Sequence, residues 1–239
     1  IAFAHTSFKW ANLASHNAGV TVVIVGISNH AGQVRRLFSL NDEHEVVLKE
    51  ASNINAYLVA APNVVIGKAS KPLTEVTSMS FGNKPVDGGN LLLSRDEMTE
   101  LRLTQEQRKR FIRRIYGSAE FIRGLERYVL WIEDKYLEES LTLSPIRRRV
   151  EDVRAIRLAS RDKSANEMAN RAHQMREMNI GHKQTVALPC VSSENRAFLP
   201  VGLIDNRSTV TNLCFALYDA PLWNLALIAS RVHLVWIAT

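Results

Sequence analysis

The chain has 239 residues but only two cysteines, Cys190 and Cys214. Two thiols are too few for a disulfide scaffold, and they lack the CxxC spacing of a zinc site. Since reducing compartments disfavour disulfides, we expect a cytoplasmic location. The seven histidines never recur three or four residues apart, so no helical two-histidine metal site is expected.

Several motifs of nucleotide binding and catalysis are also missing. The sequence has no GxGxxG, GxxxxGK[ST], GxSxG or HExxH pattern, which argues against the site types that these patterns mark. The triplet Glu133-Asp-Lys135 has the ExK form used by some metal-dependent nucleases, but no aspartate on a preceding short strand completes it. Because charged triplets are common on protein surfaces, we interpret this one as a surface feature.

An uninterrupted hydrophobic run is absent too. Residues 221–239 are nearly apolar, but Asn224, Arg231 and His233 interrupt them. A membrane-spanning helix needs about 20 consecutive apolar residues, so we predict a buried helix and no membrane partner. The chain starts at Ile1 without a secretory signal and stops inside this run. We therefore expect a piece of a longer protein, truncated at its C-terminal end.

Positive charge is present in excess, and it is localised. Lysine and arginine total 30 against 24 acidic residues, and within 105–176 the count is 17 against 11, so this stretch carries the whole net charge of +6. Such a balance favours a polyanionic partner, although a solvated basic helix face would look the same. The arginine-rich stretch includes these candidates for contact with a phosphate backbone: Arg108, Lys109, Arg110, Arg113, Arg114, Arg147, Arg148, Arg149, Arg154, Arg157, Arg161 and Lys163.

The first third of the chain reads mainly as strands. Val20–Ile27 is rich in β-branched residues, which predicts a strand buried on both faces. The polar segment 30–45 predicts a surface excursion. Further predictions are a short strand at 1–4, a polar loop at 7–19, a strand at 46–48, a short helix at 53–58, a strand at 64–66 and a linker at 70–78.

The pattern of the sequence after the linker predicts helices followed by short strands, so the predicted fold class is α+β. Ser94–Glu97 fits a capping box, and Ser144-Pro145 fits a helix start. That second helix would bury Val150, Val153, Ile156 and Leu158, and Asp219 would cap the final helix. A basic helical segment is expected at 104–116, a second helical stretch at 166–178, and strands at 128–132, 185–191, 198–203, 209–212 and 214–218.

Three segments carry candidate contact residues. Phe8 and Trp10, placed in the polar loop, could stack on a base or could simply pack in the core. The glycine-rich segment 82–90 could approach a ligand closely or form a structural turn, and it offers Lys84, Asp87 and Asn90. The loop 192–198 could read bases or hold phosphates through Ser193, Glu194 and Arg196, or it could be an ordinary capped turn.

An ordered set of segments resembles one known family. Phe3-Ala-His-Thr-Ser-Phe-Lys-Trp10, with 17–26 after it, resembles the late methyltransferase motifs of the MmeI-like (type IIL) restriction–modification enzymes. Ser80–Leu93 resembles the start of their target-recognition domain. The match continues in the same order through Gly117–Ile122, Arg127–Ile132, Ser192–Arg196 and Ser230–Trp236, and no single motif is decisive.

The resemblance implies the C-terminal part of an adenine-N6 DNA methyltransferase domain at 1–75, ending a Rossmann-like sheet. It implies a mixed α/β DNA target-recognition domain at 76–239. Phe8 or Trp10 would stack on the flipped adenine, and double-stranded DNA would be the partner, contacted by these residues: Lys84, Asp87, Asn90, Arg147, Arg148, Arg161, Lys163, Ser193, Glu194 and Arg196. The recognised DNA sequence does not follow from the chain.

The family's S-adenosylmethionine and Asn-Pro-Pro-aromatic motifs are absent from the chain. The longer parent protein would therefore use S-adenosylmethionine, while this chain would bind no cofactor by itself. It would lack the N-terminal half of the methyltransferase and could self-associate through an exposed sheet edge. Two alternatives stay open from the sequence. One is a non-enzymatic nucleic-acid-binding module without methyltransferase ancestry, and the other is an α+β interaction protein with a merely solvated basic face.

Overall fold

The chain folds as two compact units, Ile1–Thr74 and Glu75–Ala238. The computed structural model describes residues 1–10, 20–30, 32, 34–65, 67, 72, 74–193 and 196–238. Both helices and strands are present, and the sheets are antiparallel or mixed. The predicted α+β class is confirmed.

The first unit is built on one four-stranded sheet. Its strands are β1 (Phe3–Trp10), β2 (Val20–Gly26), β3 (Arg35–Leu40) and β4 (Val46–Ala51). They lie in the order β2-β1-β3-β4, with β1 and β3 parallel and the other pairs antiparallel. A small core forms where Ala4, Leu37 and Ile54 are buried together.

Strand β1 is longer than the sequence suggested, and this corrects the placement of two candidate residues. Phe8 pairs with Val22 and Trp10 with Val20, so both lie in the strand and not in a loop. Because they lie two residues apart in the strand, the two side chains project from the same face. Residues 11–19, the rest of the predicted loop, lie outside the described residues.

The strand prediction for β2 is confirmed, but its burial on both faces is wrong. Val20, Val23 and Ile24 are each more than two-fifths exposed. The reason is position, because β2 is an edge strand of the sheet and pairs only with β1 among the described strands. The predicted excursion at 30–45 is also wrong, since Arg35–Leu40 forms the inner strand β3 between β1 and β4.

The helix expected at 53–58 does not form. The Asn55 carboxamide oxygen accepts hydrogen bonds from the backbone N–H groups of Tyr57 (3.0 Å) and Val59 (3.2 Å). Asparagine competes with helical hydrogen bonding in this way, and a turn results. Val64 and Val65, expected in a strand, have no regular structure, and Ile66 lies outside the described residues.

The second unit contains two four-stranded sheets. The antiparallel sheet has the order β10-β9-β12-β5, and the mixed sheet has the order β11-β7-β8-β6, with β11 and β7 parallel. The strands are β5 (Ser80–Phe81), β6 (Leu92–Leu93), β7 (Ile112–Tyr116), β8 (Tyr128–Leu130), β9 (Gln184–Pro189), β10 (Gly202–Asp205), β11 (Ser208–Val210) and β12 (Cys214–Tyr218).

Helices surround these sheets. They are α1 (Arg95–Glu100), α2 (Gln105–Phe111), α3 (Ser118–Arg123), α4 (Leu137–Thr142), α5 (Ser144–Leu158), α6 (Lys163–Glu167), α7 (Trp223–Ala229) and α8 (Arg231–Ala238). The capping box predicted at Ser94–Glu97 opens α1, and the predicted start of α5 at Ser144 is confirmed. The main core packs β6, β7 and β8 against α5 through side chains such as Leu93, Ile115, Val129 and Val153.

Several predictions for this unit are wrong. The helix expected through 116 ends at Phe111, because Ile112 pairs with Leu130 and the chain continues as β7. On α5 the buried positions are Ile146, Val150, Val153 and Arg157, whereas Ile156 and Leu158 are exposed. The cause is helical spacing, since offsets of four, seven and eleven residues from Ile146 share a face.

Asp219 does not cap the final helix. Its carboxylate accepts hydrogen bonds from the backbone N–H groups of His182 (2.9 Å) and Lys183 (2.6 Å), in the turn before β9. These bonds hold the pKa of Asp219 below its usual value. The apolar end of the chain forms two helices, α7 and α8, and Val232 and Trp236 are exposed rather than buried. None of the described helices is long and apolar enough to cross a membrane.

Candidate nucleic-acid interface

Exposed cations lie along α5 and just beyond it. Arg147, Arg148 and Arg154 are exposed, and within the described part of the chain none of them forms an ion pair. Arg147 and Arg154 are seven residues apart and therefore share a side of the helix. Arg161 and Lys163 are exposed on either side of Asp162, whose carboxylate caps α6 by accepting from the Ser164 N–H (2.9 Å). We call these five residues the α5 basic surface.

Arg157 belongs to the same helix but not to that surface. It is 0% exposed, so the expectation that it contacts phosphate is wrong. Its guanidinium makes five hydrogen bonds to backbone carbonyls, with Val86 (2.8 Å), Met168 (3.0 Å), Arg171 (3.0 Å), Pro85 (3.0 Å) and Gln174 (2.7 Å). Burial lowers its pKa to about 10. The eleven-residue offset from Ile146 was the sequence signal that could have identified it.

These bonds make Arg157 the anchor of the glycine-rich loop. Two of the five carbonyls, those of Pro85 and Val86, belong to the predicted contact segment 82–90. The other three belong to the segment that follows α6. Arg157 thereby ties the loop and this segment to α5, and so fixes where their exposed side chains lie.

Asp87 organises the same loop from within. It is 6% exposed, and its carboxylate accepts hydrogen bonds from the backbone N–H groups of Gly89 (3.1 Å), Leu91 (2.7 Å) and Leu92 (3.1 Å). Gly88 and Gly89 have φ angles of 58° and 89°, which glycine adopts most readily. No atom would lie within 4 Å of a Cβ on Gly89, so the backbone there is open to close approach.

A cavity of about 550 Å³ lies beside this loop. It brings together two of the predicted contact residues, Asn90 and Arg148. Its lining consists of Gly89, Asn90, Glu97, Glu100, Leu101, Ser144, Pro145, Arg148, Arg149 and Asp152. The neighbouring Arg149 is not available, because it donates to the Asn90 carbonyl (3.1 Å) and pairs with Glu97 (2.8 Å).

Glu97 is held ionised by its surroundings. Its carboxylate accepts a hydrogen bond from the Ser94 backbone N–H (2.8 Å) and another from Arg149. In that order of importance, these contacts lower the pKa of Glu97 to about 2. Glu97 therefore pairs with Arg149, while Arg148 forms no ion pair among the described residues.

The remaining predicted residues of this unit are exposed on other segments. Lys84 follows β5, where its backbone N–H donates to the Glu177 carboxylate (2.9 Å). Ser193 and Arg196 lie in the loop after β9, where the Arg196 N–H donates to the Ser193 carbonyl (3.2 Å). Glu194 lies outside the described residues.

In the first unit, Phe8 and Trp10 form an aromatic pair at the end of β1. Their ring centroids are 6.3 Å apart, and Phe8 also contacts the His5 ring edge-on at 4.7 Å. Trp10 is about half exposed, at 49%, and Phe8 is partly buried. Both rings therefore keep some surface that another ring could cover.

The ExK triplet is engaged in local contacts. Glu133 pairs with Lys135 (2.7 Å), and the Asp134 carboxylate is 2.8 Å from His173 Nε2. Within the residues that the structure describes, no three histidine, cysteine, aspartate or glutamate side chains cluster as a metal site would require.

The fold and these surfaces define a mixed α/β module with a localised cationic surface and an open glycine turn. The chain belongs to the family of the MmeI target recognition domain, whose model matches residues 60–239. Residues 1–39 match the DNA-methyltransferase domain of MmeI. This confirms the resemblance read from the sequence, and the second match argues against a module without methyltransferase ancestry.

Two known proteins are similar over nearly the whole chain. DNA methyltransferase A of Bacillus subtilis (strain 168) is 33% identical over 237 residues, which is 99% of this chain and 26% of that protein. A solved structure of the type IIL restriction–modification enzyme MmeI in complex with DNA superimposes with a TM-score of 0.83 at 28% identity. That match covers 98% of this chain and 32% of the solved one. The chain thus spans about a quarter to a third of the length of these relatives.

Proposed function

We propose that this chain supplies two parts of an S-adenosylmethionine-dependent adenine-N6 DNA methyltransferase of a restriction–modification system. Residues 1–75 would end the methyltransferase domain, and residues 76–239 would form the target-recognition domain on double-stranded DNA. The family match and the DNA complex of the MmeI relative support this assignment.

The observation that carries the proposal is the α5 basic surface. Its cations are exposed, and no described carboxylate pairs with them. A phosphate backbone would supply the missing countercharge, and each neutralised phosphate releases counterions from DNA. Lys84, Asn90 and Arg196 would add contacts from neighbouring loops. Asp87 would not contact DNA, because its buried carboxylate already accepts hydrogen bonds from three backbone N–H groups of its own loop.

The aromatic pair of β1 would serve the methyltransferase part. An adenine that has left the duplex needs a flat partner, and stacking on an aromatic ring is worth about 1–3 kcal/mol. Phe8, which packs edge-on against the His5 ring, is the first candidate, and Trp10 is the second. Neither residue would have a chemical role in methyl transfer.

S-adenosylmethionine would supply the methyl group in the natural protein. The glycine-rich methyl-donor motif and the Asn-Pro-Pro-aromatic motif do not occur in this chain. We therefore expect no cofactor to be bound by this chain alone.

DNA binding is tested by fluorescence anisotropy of this chain with a labelled random-sequence duplex over a series of salt concentrations. A log–log slope of the binding constant steeper than about −3 indicates several phosphate contacts. Absence of binding by both this chain and the natural-length protein, even at low salt, would contradict the proposal.

The stacking role is tested in the natural-length protein. Phe8→Ala should reduce the methylation rate of duplex DNA about fivefold to a hundredfold, since about 1–3 kcal/mol of stacking is lost, while DNA affinity changes little. Lys9→Ala, the next residue along β1 and on the other side of the strand, is the matched control. Unchanged methylation kinetics in Phe8→Ala would remove Phe8 from the adenine site.

A further inference from the structure

A second cavity in the Glu75–Ala238 unit differs in character from the α5 basic surface. It has a volume of about 480 Å³ and lies where β7 and the end of β8 face the segment before β9. Its rim is polar and includes exposed Asp134, His182 and Asn206. The full lining is Arg113, Trp131, Glu133, Asp134, Gln174, Met178, Ile180, Gly181, His182 and Asn206.

Arg113 is a cationic hydrogen-bond donor in this cavity, and two contacts hold its guanidinium in place. The centre of its guanidinium lies 5.4 Å from the centroid of the buried Trp131 ring. One terminal nitrogen donates to the Asn206 carbonyl (3.3 Å), while Nε is buried without a hydrogen-bond partner. A guanidinium that is stacked on a ring loses little conformational entropy when it donates further hydrogen bonds to a planar partner.

Two carboxylates share the cavity with Arg113. Glu133 is near enough to influence the Arg113 charge, and its other contact is an exposed pair with Lys135. The Asp134 carboxylate contacts His173 Nε2 and accepts a hydrogen bond from the Gln174 side-chain amide (2.8 Å). Carboxylates at this position would repel a phosphate, so the cavity is less suited to the DNA backbone than the α5 basic surface is.

An arginine beside a glutamate has a specific complement in DNA. In the major groove, guanine offers the acceptors O6 and N7, to which arginine donates in a bidentate manner. The paired cytosine offers its N4 amino group, which a glutamate carboxylate accepts. One G·C pair thus offers acceptors to Arg113 and a donor to Glu133.

We propose that Arg113 and Glu133 read one G·C base pair of the recognition sequence, with Arg113 on guanine and Glu133 on cytosine. This inference rests on the proposed function, because it assumes duplex DNA as the partner. It assigns base specificity to a β-strand and its neighbouring turn, and leaves the α5 basic surface to position the DNA backbone.

The test is selection of bound duplexes from a random-sequence library, using the natural-length protein with S-adenosylmethionine. The unaltered protein should select a motif with at least one fixed G·C pair. Arg113→Ala should reduce the preference for that pair about tenfold to a hundredfold, while the other positions stay fixed. Arg113→Lys keeps the charge and the contact with Trp131 but loses the bidentate fork, and should relax the same position.

Arg114→Ala is the matched control, since Arg114 is the next residue of β7 and also lies over an aromatic ring, that of Tyr116 (4.9 Å). Neighbouring strand residues point to opposite faces, so this variant should keep the motif. Glu133→Gln provides a second test, which leaves the stacked arginine unchanged. It should reduce the preference for the same G·C pair.

The outcomes separate the two proposals. If the unaltered protein selects no motif and binds no duplex, the proposed function fails. If it selects a motif without a fixed G·C pair, or if the folded Arg113→Lys and Glu133→Gln variants keep the full preference, the proposed function stands and this inference is overturned.

Discussion

The two sides of α5 carry the same residue type in opposite physical states. On the solvent side, Arg147 and Arg154 are exposed and belong to no described ion pair. On the core side, Arg157 is fully buried and all five of its hydrogen bonds go to backbone carbonyls. The helix therefore uses arginine both to present charge and to hold the fold together.

This difference shows why a count of basic residues overstates a binding surface. Arg149 and Arg110 also belong to the basic stretch, but each is neutralised by a glutamate, Glu97 and Glu139 respectively. Only the arginines without such partners are available to a polyanion. The net charge of the stretch therefore overstates its unpaired charge, and the largest group of exposed, unpaired cations lies on α5 and in the turn after it.

The sharpest test of the comparison is to remove the buried arginine. Arg157→Met should lower the free energy of unfolding by at least about 3 kcal/mol, because five backbone carbonyls at buried or part-buried positions lose the guanidinium that donates to them. Urea unfolding measures the loss, and Arg154→Met on the solvent side should stay within about 0.5 kcal/mol of the original. Similar losses in the two variants would show that the two sides do not differ as described.

The next test removes charge from the solvent side. The double variant Arg147→Ala, Arg154→Ala should weaken duplex binding several-fold and make the log–log salt slope shallower by about 0.9 per lost phosphate contact. Thermal stability should change little. The control is Arg110→Ala, because Glu139 accepts two hydrogen bonds from Arg110 (2.7 and 2.6 Å) and already neutralises it. An equal change of slope in that control would argue that pairing does not decide availability.

The smallest expected effect concerns Glu97, which pairs with Arg149 beside the cavity. The folded pKa of Glu97 is about 2, below its ordinary 4.5, so its contribution to stability is present above pH 4.5 and is lost as pH falls towards 2. Because the side chain is partly exposed, we expect Glu97→Gln to cost about 1 kcal/mol or less at neutral pH. The gap in unfolding midpoint between the two proteins should narrow below pH 4.5, and a constant gap would contradict the assignment.

Local signals in the sequence were reliable where the chemistry itself is local. The capping box of Ser94 and Glu97 opens α1 as predicted, since it needs only residues three positions apart. The glycine-rich segment forms a turn stabilised by Asp87, another contact over a few residues. The ordered family motifs were equally readable, and the family assignment follows from them.

Signals that depend on distant partners failed. Ile112–Tyr116 reads as the end of a basic helix, yet it pairs with β8 and β11 and forms the strand that carries Arg113. Asp219 reads as a helix cap, yet it closes a turn more than 30 residues earlier in the chain. Neither outcome follows from local propensity, because the decisive partners are remote in sequence.

The sequence by itself determined the α+β class, the family and the stretch in which the positive charge lies. Only the tertiary structure decided which arginines are exposed, which are paired and which one is buried, and it alone revealed the cavity of Arg113 and Glu133. The physical reason is that composition and motifs are properties of neighbouring residues. The state of a charged side chain depends instead on what the rest of the chain places around it.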